Sequence, residues 1–138
     1  MKKTLLILVL AVPAFGLMMG CKSDHGAYMP VDTGVSNLED SSRFVALDKG
    51  VQHSVTCPGI QESRLPDGRL QVQANLRNLQ NRRIQVQFNC VFKDAQGFTV
   101  DETPFENLFL DENAQEGVKF VCANDKAARY TIRVREAR

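Results

Sequence analysis

Tryptophan is absent from this chain of 138 residues, and tyrosine and histidine occur only twice each. The two histidines, His25 and His53, leave little material for a metal centre or a general base. Neither lies at metal-ligand spacing from a cysteine, and no Cys-x-x-Cys pair occurs. Excess charge is lacking too: 17 basic and 16 acidic residues give a formal +1. That excludes a global basic field for nucleic acid. Beyond residue 20 no long apolar run remains, which excludes a polytopic membrane protein. There is no phosphate-cradling glycine loop, no Gly-x-Ser-x-Gly elbow and no internal repeat. The length suits one small domain with short additions. No metal, cofactor or small-molecule substrate is therefore expected.

What is present begins with an address. Met1-Lys2-Lys3 is a short positive start, and Leu5 to Phe15 is an apolar run interrupted by Pro13. The run is too short to span a bilayer, as in a secretory leader. Leu17-Met18-Met19-Gly20-Cys21 then places a small residue directly before a cysteine. This resembles the lipobox of bacterial lipoproteins. Met18 departs from the leucine usual there. The resemblance implies cleavage between Gly20 and Cys21 and acylation of Cys21. An ordinary leader with a chance cysteine is the plainer alternative. Two or more acyl chains hold a protein stably on a membrane, where one does so only reversibly. Lys22, rather than Asp, follows the cysteine. By resemblance to lipoprotein sorting, that implies the outer membrane, facing the periplasm.

Three segments follow: 1–20 as signal peptide, 21–43 as lipidated cysteine and tether, and 44–138 as the folded domain. The tether has no sustained period and is punctuated by Gly26, Pro30 and Gly34. A flexible stretch of that length spans about 25 Å. After Arg43 the period is mostly two. Val51 to Cys57 reads as a first strand, broken by Pro58-Gly59, and Ile60 to Leu65 as a short second one. Leu65-Pro66-Asp67-Gly68 is a turn sequence. Leu70, Val72, Ala74 and Leu76 then alternate with polar residues. Ile84, Val86, Phe88, Cys90 and Phe92 do the same, which predicts half-buried antiparallel strands. Asp94-Ala95-Gln96-Gly97 is a tight turn, and Pro104 opens a segment through Leu108 and Leu110. Val118, Phe120 and Cys122 alternate again, and Tyr130, Ile132 and Val134 close the chain. The expected fold is all-β, an immunoglobulin-like sandwich of about seven antiparallel strands.

The stretch Val86-Gln-Phe-Asn-Cys-Val-Phe-Lys-Asp-Ala-Gln-Gly-Phe98 resembles the YcfL-like bacterial lipoproteins, a family of uncharacterised function. Leu76-Arg77-Asn78 matches the family's strand end, and Tyr130 to Arg135 its closing strand. Cys90 stands where the family usually has a bulky aromatic, and Phe92 where it has tryptophan. The resemblance implies a sandwich on an outer-membrane anchor. It also implies a neighbourhood near peptidoglycan synthesis, because such genes often lie beside one for a lipoprotein activator of penicillin-binding proteins.

Candidate chemistry is thin. If Cys21 is acylated, Cys57, Cys90 and Cys122 remain. Cys90 and Cys122 share the apolar phase of their strands, and those strands can neighbour each other in one sheet. A Cys90–Cys122 disulfide stands open beside two small buried thiols, and Cys57, near a strand end, is either free or paired with one of them. Asp101, Glu102, Glu106, Asp111 and Glu112 form an acidic cluster that is either a solvated loop or, least favoured, glycosidase carboxylates. Arg82 and Arg83 open one strand, while Arg129, Arg133 and Arg135 decorate the last. Together they form either an interaction strip for an acidic partner or charges that blunt a sheet edge. The reading is a non-enzymatic envelope lipoprotein that binds an unknown envelope protein. A structural tether of the outer membrane is the alternative, and a glycan hydrolase the remotest one.

Overall fold

The computed structural model describes residues 42–137. The leader, Gly20, Cys21 and most of the tether lie outside the described residues. Eight strands form: β1 (Phe44–Ala46), β2 (Val55–Arg64), β3 (Leu70–Asn78), β4 (Ile84–Lys93), β5 (Thr99–Glu102), β6 (Glu106–Leu110), β7 (Gln115–Val121) and β8 (Arg129–Glu136). One short helix, α1 (Lys49–Ser54), lies between β1 and β2. One sheet runs β1-β8-β4-β5, with β6 also pairing β4; the other runs β2-β3-β7. The protein is an all-β sandwich of two sheets. Every pair is antiparallel except β1 with β8, where Phe44 stands opposite Ile132 and Ala46 opposite Val134.

Alternation builds the core. On β3, Leu70, Val72, Ala74 and Leu76 are buried, while Gln73, Asn75 and Arg77 are exposed. On β4 and β8 the inward set is Val86, Phe88, Cys90 and Phe92, with Tyr130, Ile132 and Val134. Phe88 meets Phe120 from the opposite sheet edge-to-face, with ring centroids 5.6 Å apart. Each fully buried side chain of this kind contributes about 1.5–3 kcal/mol. Both glycine turns form as their sequences imply. Gly68 and Gly97 adopt φ of 87° and 95°, a region closed to most L-residues. Asp94 Oδ1 accepts the N–H groups of Gln96 and Phe98, each at 2.9 Å, and so fixes the second turn.

Four expectations change. Val51 to Ser54 belongs to a helix, not a strand, because Val51 and Val55 are both buried and stand four residues apart. Pro58-Gly59 does not end the strand; β2 runs through it, with its register slipping between Thr56 and Gly59. Pro is tolerated there because β2 is an edge strand with a bulge. The eight strands among the described residues fit the expected sandwich, but β1 adds a parallel pair to strands expected to be antiparallel throughout. Finally, β4 is not polar on one face throughout, since Asn89 to Lys93 are buried on both sides.

The loop ends are pinned by one amide. Asn78 is fully buried, and its Nδ2 lies within hydrogen-bond reach of the carbonyls of Arg82 (2.7 Å), Asp111 (2.8 Å) and Leu110 (3.2 Å). Its Oδ1 accepts the Gln80 N–H at 2.8 Å. The β3–β4 turn and the β6–β7 turn are thereby tied together.

Candidate interaction surface

The outward face of β6, β4 and β8 carries the polar side chains that the sandwich leaves over. Registers set them in rows: Phe109 beside Gln85, then Asn107 beside Gln87 beside Arg135, then Asn89 beside Arg133. Asn107 Oδ1 accepts from Gln85 Nε2 at 3.3 Å and from Gln87 Nε2 at 3.2 Å. Gln87 Oε1 in turn accepts from Arg135 Nε at 2.9 Å. Deeper in, Asn89 Oδ1 accepts from Arg133 Nε at 3.0 Å, and Asn89 Nδ2 donates to Glu102 Oε1 at 3.0 Å. Glu102 closes this triangle through an ion pair with Arg133. Two guanidinium groups lie over the Phe105 ring, that of Arg135 at 3.7 Å from its centroid and that of Arg133 at 5.5 Å. Such stacking holds the arginines in place at little entropic cost once formed. The result is a pre-arranged platform of amides, arginines and aromatic rings.

The structure divides the expected arginine strip. Arg133 and Arg135 come together on Phe105. Arg83 stands apart over Phe109, at 4.9 Å, and pairs with Asp111 at 3.3 Å. Arg82 and Arg83 also line a cleft of about 380 Å³ with Gly50, Ser54, Gln85 and Glu136. Arg129 lies at the far end of β8, opposite Lys93. Sequence reasoning missed Phe105, Asn107 and the Asn89–Glu102 pair. Strand alternation alone marked Gln85 and Gln87 as outward.

The cysteines take other places. Cys90 lies on β4, while Cys122 follows β7 of the opposite sheet, so the expected same-sheet neighbourhood is corrected. Cys57, Cys90 and Cys122 are all free thiols here. Burial pushes the Cys90 thiol up to about 12, with the nearby Cys122 adding to the rise. Burial also raises Cys122 and Cys57. Thiols held protonated in this way are poor nucleophiles. The acidic cluster is used in bracing: Asp101 accepts the N–H groups of Glu102 (2.9 Å) and Ala123 (2.6 Å). Among the described residues no three His, Cys, Asp or Glu side chains converge as a metal would need.

Comparison with known proteins places this architecture. Residues 43–136 match the model of the family described as a protein of unknown function, DUF1425, and the chain belongs to that family. A DUF1425 family member from Shewanella sp. pv-4 has a similar fold, with a TM-score of 0.56 at 24% identity. The match covers 67% of this chain and 87% of that one. Campylobacter jejuni cj0090 is similar at a TM-score of 0.55 and 12% identity, over 69% of this chain and 98% of that one. No curated protein matches the sequence.

Proposed function

We propose that this protein is a non-enzymatic, YcfL-like envelope lipoprotein, anchored through Cys21 to the outer membrane and binding a protein partner in the periplasm. The platform around Phe105 carries this reading. Its arginines and amides are braced by one another, so a partner meets donors already oriented, which lowers the ordering cost of association. Arg and aromatic side chains are the types that dominate protein interfaces. The leader and the Gly20-Cys21 junction support the anchor. The resemblance to YcfL-like lipoproteins supports a setting near cell-wall synthesis.

The test is photo-crosslinking in cells, with a photoreactive residue at Gln85 and, as control, at Gln73 on the opposite sheet. The full chain and a Cys21→Ser version are compared. One discrete crosslinked protein at Gln85, absent at Gln73 and lost without the anchor, is the expected result. Equal labelling from both faces would sink the reading. Labelling with a radioactive fatty acid checks the anchor separately: Cys21→Ser must abolish incorporation.

A further inference from the structure

We propose that the free edge of β6 pairs with β6 of a second copy of this chain, making one continuous sheet across a two-fold axis. Exposed strand edges invite pairing, and proteins normally guard them. The other edges here are guarded. β1 has three residues; β5 has four and a register shift against β4. β2 contains Pro58 and a bulge and carries Glu62 and Arg64 on its inward phase. β7 presents Lys119 and Gly117. β6 has no lysine, proline or bulge over its five residues, and its one charge, Glu106, is confined to its first position. Among the described residues, its only strand partner is β4. It also carries Phe109, which is 52% exposed.

The strand is self-complementary. Antiparallel pairing centred on Leu108 sets Leu108 against its own copy and Phe109 against Asn107 of the second chain. Each Phe109 then lies diagonal to the other copy's Phe109 and Phe105, within reach of an aromatic contact. The register sets no like charges against each other, since Glu106 falls opposite Leu110 of the second chain. The contact is isologous and closes at two copies. It also leaves both Phe105 platforms on the same side of the joined sheet. The pairing does not depend on what those platforms bind.

The experiment uses the full chain in its own membrane. Leu108→Cys is introduced and the membranes are treated with a mild thiol oxidant; Gln73→Cys, on the central strand of the other sheet, is the control. The expected product is a band of twice the chain mass from Leu108→Cys, at least tenfold above the control. Adding Phe109→Lys, an exposed change that places a charge on the edge, must reduce that band at least tenfold. Its thermal melt is followed so that unfolding is not mistaken for lost pairing. Three results would overturn the proposal: no excess of the double-mass band over the control, a band indifferent to Phe109→Lys in a folded variant, or a crosslinked species of another mass, which would mean a foreign strand.

Discussion

Asn78 shows what a single side chain can hold together. It faces three carbonyls and one N–H while fully buried. Asn78→Ala removes the donor that all three carbonyls share, leaving that of Asp111 with only the Ala114 N–H. The expected loss is about 3 kcal/mol, read as a lower urea midpoint with an unchanged slope. Asn78→Asp keeps the size but sets a carboxylate against carbonyl oxygens, so it must be at least as damaging. A milder result for Asp than for Ala would show that volume, not donation, matters at this site. Position 78 was legible in the sequence as a strand end. Its burial was not, because that depends on the β6–β7 turn, more than thirty residues away.

At the level of elements, the most informative junction lies between β5 and β6. Both pair with the same side of β4, and the chain crosses between them at Thr103–Pro104–Phe105. Cys90 would lose its ladder partner at this gap. Instead Thr103 Oγ1 accepts the Cys90 N–H at 2.9 Å, and the Thr103 N–H donates to the Cys90 carbonyl at 3.0 Å. Thr103→Val keeps the shape and removes the acceptor. About 1–3 kcal/mol should be lost, visible as faster amide exchange at Cys90 as well as a lower midpoint. Gly97→Ala makes a contrasting case. A Cβ there meets nothing within 4 Å, so only the φ of 95° is at issue, and about 1–2 kcal/mol is the expected cost.

The same junction explains what a sequence can and cannot reveal here. The alternation of β3, β4 and β8 is set locally by which face is buried, so the strands and their inward residues were readable. Two local patterns misled. Val51 and Val55 fit both a strand and one turn of helix, and docking of Val51 on the core decides for the helix. Pro58 reads as a strand breaker, yet an edge strand with a bulge absorbs it. Phe105 had no signal at all. Its place under two arginines follows from where the chain crosses from β5 to β6, and nothing in the neighbouring residues encodes that.

For the molecule as a whole, the buried thiols make a pH prediction. Cys90 is held near 12 in the folded state, against an ordinary value of 9.0. A raised value means the folded state keeps its proton while the unfolded chain gives it up. Stability is therefore intact below about pH 9 and falls as pH rises toward 12. Burial raises Cys57, Cys122 and Tyr130 in the same direction. Urea unfolding at about pH 8 and about pH 10.5 should show a clear drop in midpoint. Cys90→Val should flatten that drop, and an unchanged slope would remove Cys90 from the explanation. In the native state a thiol reagent should label Cys57 before Cys90 and Cys122, since among the described cysteines it alone is half-exposed.

The parallel pairing of β1 with β8 bears on load. Anything that pulls on the chain ahead of Ser42 pulls on β1 first. The first strand is not peeled from its neighbour one bond at a time when the pull runs along its axis. Its ladder to β8, with the further bonds from Ile132 N–H to the Arg43 carbonyl and from Leu47 N–H to the Val134 carbonyl, is then sheared as a unit. Resistance to tension is governed by the unfolding rate rather than by equilibrium stability. A strand of only three residues can thus act as a mechanical fastening, setting how hard the domain can be tugged before it opens.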